Sequence, residues 1–529
     1  MFATRWEESG HAPVAKEDRV LARVFIISNR VGIPNPARGV HAGGLEVALR
    51  ATLKRHPCVW LGWSGAVKPV EEIETRTITH RENSYIVTDL SEEDYQEYYN
   101  GFANRVLWPI LHYRLDLAEF SRRDLTGYLR VNQHFADRLD QVLAPDDVVW
   151  VHDYHLIPLA SALRERGREN RIGFFLHIPL PPPEILTAMP NHEKLIPSLT
   201  EYDLIGFQTD GDAANFARYL ALECGMPAHI QRTFNGGKRV MRIGTFPVGI
   251  AARTFQRCAQ RASRSSFVRR VRDTVPGDII MGVDRLDYSK GLPLRLDAFE
   301  RFLVGRPECR GKVTYMQITP KSRSEVPEYV EMERAMDAAA GRINATYGDV
   351  SWTPVRYTNR PYSRTALAGL YRVARVGLVT PLRDGMNLVA KEYVAAQDPK
   401  NPGVLILSRF AGAAAEFGPA ALLVNPYDPD AVAAALARAI AMPLDERIER
   451  HAKLFDALKR NDVAAWGDRF LATLTETPEV SRPRASAHAV PADSPSWGKT
   501  SPPAHPSIPG AISNPHSSSP AYVSLSPRR

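Results

Sequence analysis

Residues 378–397 read "LVTPLRDGMNLVAKEYVAAQ", and the order of residue types in this stretch decides the fold. The opening "LVTPL" is a short apolar run of the kind a buried strand uses. Arg383, Asp384 and Gly385 follow where a sheet would end. A helix-like run then starts near Met386–Leu388 and carries Glu392 on its second or third turn. Asp384 or Asn387 would cap that helix, yet a cap requires neither the arginine nor a second acid beside it. A strand running directly into a helix N-terminus is the ligand-binding corner of a parallel α/β sheet.

The same grammar recurs along the chain. "RVFIISN", "CVWLGW", "DVVWVHD", "IGFFLHI" and "DLIGFQT" read as buried strands, separated by helical stretches such as "GGLEVALRATLKRH" and "LIPLASALRERG". After "IGTFPVGI" the pattern restarts with "DIIMGVDRLD", "KVTYMQITP", "VGLVTPL" and "GVLILSR". Two successive sets of about five strands predict an α/β protein with two Rossmann-like domains facing across a cleft. The expected division is a loose arm over 1–20, a first domain over 21–247 and a second over 248–460. A helix over 461–480 crosses back to the first domain, and a Ser/Pro-rich disordered tail occupies 481–529. No short internal repeat is present.

Composition removes several classes of function. The 529 residues are 44% apolar and 24% charged, ordinary globular usage for a chain of two or three domains. No apolar run reaches the ~18 residues that span a bilayer, and the N-terminus has no apolar signal segment. Cys58, Cys224, Cys258 and Cys309 are scattered and read as reduced thiols, which points to a cytoplasmic protein. Of the +8 formal charge, the segment from Ser481 onward supplies five Lys/Arg against one Asp, or +4. No basic run with interleaved aromatics remains, which argues against nucleic acid.

Polar residues placed directly after strands are the candidates for chemistry. Arg30 ends the first strand, and Gly43 and Gly44 open a helix whose N–H groups could approach an anion; a salt bridge and a plain turn are the bland readings. Asp153 lies between His152 and His155, a hydroxyl acceptor or base aimed at the cleft. The two histidines raise the question of a metal, but no dedicated ligand cluster accompanies them. His177 ends another strand ahead of a rigid proline run. Arg285 and Lys290 flank a turn after the first strand of the second set, and suit a diphosphate unless Asp284 and Asp287 merely neutralise them. Lys321 and Arg323 form a second cationic cluster, which suggests a second phosphorylated ligand. The helix after Asp384 would aim its N-terminus at the diphosphate, with Asp384 on sugar hydroxyls and Glu392 on a ribose. These cations and the helix end can together do the charge work of a metal, so no cofactor is demanded.

With these residues in place, the chain resembles the trehalose-6-phosphate synthases, a family of retaining glucosyltransferases. The resemblance runs from about Val24 to about Leu474 through "SNR", "AGGL", "GWSG", "HDYHL", "FFLHIPLPPPEI", "DRLDYSKG", "PKSRSEV" and "TPLRDGMNLVAKEYVAAQ", in that order. It implies the GT-B arrangement of two Rossmann-like domains. It also implies that Arg30, Tyr99, Trp108, Asp153 and Arg323 hold glucose 6-phosphate. Gly44, His177, Arg285, Lys290, Asp384 and the backbone at Asn387, Leu388 and Val389 would hold UDP-glucose, with Glu392 on the ribose. Tyr362 aligns where the family touches the nucleoside, often with a different aromatic. The implied partners are small molecules, a downstream trehalose-phosphate phosphatase, and further copies of the chain in a dimer or tetramer. Catalysis would fall to Asp153, His177, Arg285 and Lys290, without a covalent intermediate.

Two rivals stay in view. A related coupling enzyme would use another phosphorylated acceptor or a cyclitol, and a regulatory subunit would carry broken site residues. None of the matched positions is broken. A nicotinamide-dependent dehydrogenase is disfavoured because no G-x-G-x-x-G follows the first strand.

Overall fold

The computed structural model describes residues 23–33, 57–226, 231–234, 237–321 and 327–476, together with 46, 48–50 and 55. The arm over 1–20 and the tail over 481–529 lie outside the described residues.

Two mostly parallel sheets organise the described residues. The first holds β1 (Val24–Arg30), β2 (Cys58–Val67), β3 (Thr75–His80), β4 (Asn83–Leu90), β5 (Val148–His152), β6 (Arg171–Phe175) and β7 (Leu204–Phe207). A small antiparallel hairpin, β8 (Gln231–Phe234) with β9 (Gly237–Val240), precedes β10 (Arg242–Thr245), which completes that sheet. Its order is β10-β7-β6-β5-β1-β2-β4-β3. The second sheet holds β11 (Asp278–Val283), β12 (Val313–Ile318), β13 (Val355–Thr358), β14 (Val376–Val379), β15 (Val404–Ser408) and β16 (Leu422–Val424). They run in the order β13-β12-β11-β14-β15-β16.

Eight and six strands exceed the sets of about five expected from apolar runs. The additional β3, "TRTITH", is the one antiparallel member of its sheet, pairing from Thr75 with Thr88 to His80 with Asn83. It is an exposed edge strand, so it lacks the apolar run that marks a strand buried on both faces. β13 and β16 are only four and three residues long, too short to leave a periodic signal.

Strand register brings the candidate residues together. β1 lies beside β5 with Ser28 opposite His152, and β5 lies beside β6 with His152 opposite Phe175. Arg30, Asp153 and His177 therefore leave the same edge of the first sheet. In the second sheet β11 and β14 are neighbours, so Arg285, Lys290 and Asp384 leave adjacent strand ends.

The chain passes between the sheets twice, after β10 and again at Asn461–Asp462. The two passages touch: a Cβ on Gly249 would lie 1.6 Å from the Asn461 carbonyl oxygen. Buried Lys391 donates to the Val248 carbonyl at 2.7 Å and pairs with Glu416, whose other oxygen accepts from Asn461 Nδ2 at 2.7 Å. Helix Val463–Thr475 then lies across the first sheet, as the crossing helix was expected to do. Phe470 fills the space over Gly173 and Gly206, where added Cβ atoms would lie 2.7 and 2.8 Å from its ring. The Trp150 ring stacks on Phe470 at 4.6 Å, and Trp466 Nε1 donates to the Phe246 carbonyl at 3.1 Å. Trp466 and Phe470 are fully buried, and truncating either to alanine would cost about 3–5 kcal/mol.

Candidate active site

On the first sheet, an aromatic floor supports the cation at Arg30. The exposed Arg30 guanidinium lies 5.6 Å over the Trp63 ring, and a Cβ on Gly65 would strike it at 2.4 Å. Gly65 has φ +89, a conformation that glycine adopts without strain. Trp63 meets Tyr95 and Tyr99, each at 5.6 Å, and Tyr99 stacks on His155 at 5.9 Å. Tyr154 packs on His155 at 3.9 Å and on Trp108 at 5.7 Å. Arg30, Tyr99 and Trp108 are thus joined through a continuous run of rings. Trp63 was not among the expected site residues. The signal was present in "GWSG", where a large flat side chain and a flexible glycine share one strand end.

Tyr99 reaches this position on an unusually wide helix. Residues Tyr95–Leu107 close i→i+5 turns, ending with the Trp108 N–H on the Ala103 carbonyl. Such turns are rare and concentrate at functional sites.

Asp153 sits where backbone strain is visible. Its φ is +76 and ψ 165, a region non-glycine residues seldom occupy, at a cost of order 1–3 kcal/mol. The Asp153 N–H donates to the Phe175 carbonyl at 2.9 Å, and Asp153 Oδ1 accepts from the His177 N–H at 3.3 Å. Neither neighbouring histidine is arranged as a metal ligand. His152 is wholly buried with its Nδ1 3.1 Å from His177 Nε2, while His155 is stacked between Tyr99 and Tyr154. Among the described residues no three His, Cys, Asp or Glu side chains gather as a metal site. Burial pushes the His177 imidazole down to about 3, so the ring is neutral near pH 7.

The second sheet contributes a charged wall. Lys290 is buried at the end of a short turn and donates to Asp384 Oδ2 at 2.7 Å. Asp384 also accepts from Asn387 Nδ2 at 3.0 Å, and Asn387 Oδ1 caps helix Leu388–Ala396 through the Ala390 N–H. The bland reading of two solvated cations beside Asp284 and Asp287 does not fit Lys290, which is buried and held by Asp384. Asp284 belongs to buried Arg295 at 2.6 Å, Asp287 holds the Ser289 N–H at 2.9 Å, and Arg285 is exposed with its guanidinium 5.9 Å over the Trp108 ring. Glu392, on the second turn of the helix, accepts from Arg364 at 2.9 Å. Burial raises its carboxyl, and the Arg364 guanidinium works against that rise. Arg364 in turn lies 4.9 Å over Phe255. Tyr362 is half-buried against Phe267 at 5.8 Å, just before the Ser363 cap of helix Arg364–Val373.

The two walls meet at Gly385. A Cβ there would lie 2.0 Å from the His177 carbonyl oxygen, so the absent side chain lets the helix-bearing loop close on the histidine strand end. Arg383, flanking it, lies 3.9 Å over Tyr113 and 5.0 Å over Phe410, joining the two halves by cation–π contact. Contacts thus join Arg30, Tyr99, Trp108 and Arg285 through one run of rings, and Gly385 brings Lys290, Asp384 and Asn387 beside His177 and Asp153. Leu388, Val389 and Glu392 follow on the capped helix, and Tyr362 precedes the helix that carries Arg364. The expectations for Gly43, Gly44 and Arg323 lie outside the described residues.

Known proteins are similar to this chain in sequence and architecture. Residues 38–476 match glycosyltransferase family 20. The trehalose-6-phosphate synthase of Sinorhizobium fredii is 52% identical over 468 residues, covering 86% of this chain and 98% of that protein. A solved α,α-trehalose-phosphate synthase (UDP-forming) from Burkholderia xenovorans, in complex with glucose-6-phosphate, superimposes with a TM-score of 0.82. It is 45% identical over 86% of this chain and all of that one. An E. coli structure bound with UDP-2-fluoro glucose matches with a TM-score of 0.78 and 44% identity over 86% of this chain and 99% of that one. The family match over residues 38–476, with these identities over nearly the whole of each relative, places this chain in glycosyltransferase family 20.

Proposed function

We propose that this protein transfers glucose from UDP-glucose to glucose 6-phosphate with retention of configuration, giving α,α-trehalose 6-phosphate and UDP. The observation that carries this reading is the contact of Gly385 with His177, which brings the capped helix and its cations to the strand ends that bear Asp153 and Arg30. A donor diphosphate and a phosphorylated acceptor then have separate cationic sites on the two sides of one cleft.

In this reading Arg30 takes the acceptor phosphate, and Tyr99 and Trp108 pack on its sugar. Asp153, held in a strained backbone conformation, accepts from an acceptor hydroxyl. Arg285, Lys290 and the N–H groups at Asn387–Val389 take the diphosphate, and Glu392 the ribose. The bond from the glucose anomeric carbon to the β-phosphate oxygen breaks as the acceptor oxygen bonds to that carbon on the same face. The hydroxyl proton passes to the departing phosphate. Fixed cations stabilise the charge as it grows, and positioning supplies most of the remainder. Arg285, Lys290 and the helix N-terminus supply this charge compensation, so we read the reaction as metal-independent. The product leaves phosphorylated, which calls for a separate phosphatase to yield free trehalose in osmotic protection. The four cysteines are scattered with no C-x-x-C pair, which supports a reducing compartment, and no helix among the described residues is long and apolar enough to cross a membrane.

The test incubates purified protein with UDP-glucose and glucose 6-phosphate in the presence of EDTA and reads the product by NMR. An α,α-1,1-linked disaccharide phosphate is the expected result. Absence of transfer with UDP-, ADP- and GDP-glucose alike would overturn the reading.

A further inference from the structure

Behind His177 lies a second histidine with no role in the reaction described above. His152 is 0% exposed at the end of β5, and its Nδ1 is 3.1 Å from His177 Nε2. Its surroundings are aromatic: Trp150 at 4.5 Å, Trp466 at 6.3 Å and Phe175 at 6.5 Å between ring centroids. Its Nε2 is buried and has no hydrogen-bond partner among the described residues.

That orphan atom decides the direction of the bond between the rings. A neutral imidazole carries one N–H and one lone pair. If His177 donated to His152, the proton of His152 would sit on Nε2, a buried N–H facing aromatic rings with no acceptor. Unmet buried N–H groups are rarer than unmet lone pairs. The favoured arrangement has His152 Nδ1–H donating to His177 Nε2, with the lone pair of His152 Nε2 left in the apolar pocket. His177 then holds its own proton on Nδ1, the nitrogen remaining for the cleft. Burial lowers the pKa of both rings, which agrees with two neutral imidazoles.

We propose that His152 is a positioning residue that fixes His177 as its Nδ1–H tautomer, so that His177 meets the donor sugar as a hydrogen-bond donor to a hydroxyl oxygen. The contact with the donor rests on the function proposed above; the tautomer does not. An unconstrained histidine in water favours the opposite tautomer, so the buried partner is what sets the polarity of the site. The crossing helix completes the arrangement, since Trp466 packs edge-on to His177 at 6.0 Å and helps to wall His152 away from water.

Two readouts separate the tautomer from the contact. In 15N-histidine-labelled protein, with the His177 signals identified by their loss in His177→Gln, two-bond 1H–15N correlations should show Nδ1 protonated and Nε2 bare at pH 7.5. A wild-type His177 protonated on Nε2 would overturn the proposal without any variant of His152. His152→Phe, which keeps a ring but removes the donor, should move His177 toward the Nε2–H form. It should also lower kcat/KM for UDP-glucose about tenfold while leaving KM for glucose 6-phosphate unchanged. His152→Asn, whose amide can donate from near the Nδ1 position, should recover most of both effects. An Nδ1–H His177 in wild type, with kcat/KM for UDP-glucose unaltered in a folded His152→Phe, would retain the relay and reject the donor contact. Equal loss in His152→Phe and His152→Asn, with no change in tautomer, would reduce His152 to packing and overturn the proposal.

Discussion

Lys290 and Asp384 neutralise one another across 2.7 Å, although they come from different strand ends and each side chain is mostly buried, at 10% and 16% exposure. On the proposed function, a diphosphate entering the cleft would find a cation already held in place by an anion. Removing the anion alone leaves an enclosed charge without its partner, a change that costs about 3–5 kcal/mol at fully buried sites and less here. Asp384→Ala is therefore expected to lower the melting temperature by several degrees. UDP, which offers replacement anions, should raise the melting temperature of the variant more than that of the wild type. Equal UDP shifts in the two proteins would contradict this account of the pair.

Arg285 is the contrasting case. It is exposed and contributes little to folding, since among the described residues its guanidinium lies against Trp108 alone. Arg285→Ala should leave the melting temperature within about a degree while kcat falls by about 100-fold or more, the scale of losing one preorganised charge contact to a leaving group. Near-normal turnover would remove Arg285 from the reaction.

Gly385→Ala adds one methyl group where a Cβ would lie 2.0 Å from the His177 carbonyl oxygen. The backbone cannot yield locally, because Asp384 N–H is bound to the Phe410 carbonyl at 3.1 Å and Leu382 N–H to the Ser289 carbonyl at 2.7 Å. The two walls must separate instead. Circular dichroism should stay native while kcat/KM drops by about 100-fold, as expected for a displacement near 1 Å at a reacting centre.

Acid should destabilise the protein through its buried histidines. Burial lowers His177 to about 3 and His112 to about 4, from an ordinary 6.5. Between those values and 6.5 the unfolded chain takes up protons that the folded chain refuses, so this stability is complete above pH 6.5 and declines as pH falls. Urea midpoints at pH 7, 6 and 5 should fall in that order. His112→Phe, which retains a ring beside Trp108, should flatten the slope below pH 6.5 by up to one proton, about 1.4 kcal/mol per pH unit. An unchanged slope would show that His112 is not among the groups responsible.

Much of this arrangement is legible in the chain because a parallel strand buried on both faces is both an apolar run and a pointer. Arg30 ends its strand, and Asp153, His177 and Arg285 follow theirs by one or two residues, so all four leave the carboxyl edge of a sheet. What stays hidden depends on contacts between distant segments. Nothing local to "RDGMN" says that Gly385 is there for His177, or that Arg383 belongs to Tyr113 rather than to a ligand. The pairing of His152 with His177 is equally silent, since residues 25 apart become neighbours only when β5 lies beside β6. The edge strand β3 was missed for the opposite reason: one exposed face erases the apolar signal.

The touching passages at Gly249 and Asn461 have a mechanical meaning. Two connections set far apart would brace the sheets against all relative movement, whereas two that run side by side form a spine. A book bound along one spine can swing its covers but cannot slide one across the other. A widening of the cleft would pivot about this seam, turning the aromatic floor under Arg30 away from the charged wall at Lys290 without sliding one along the other.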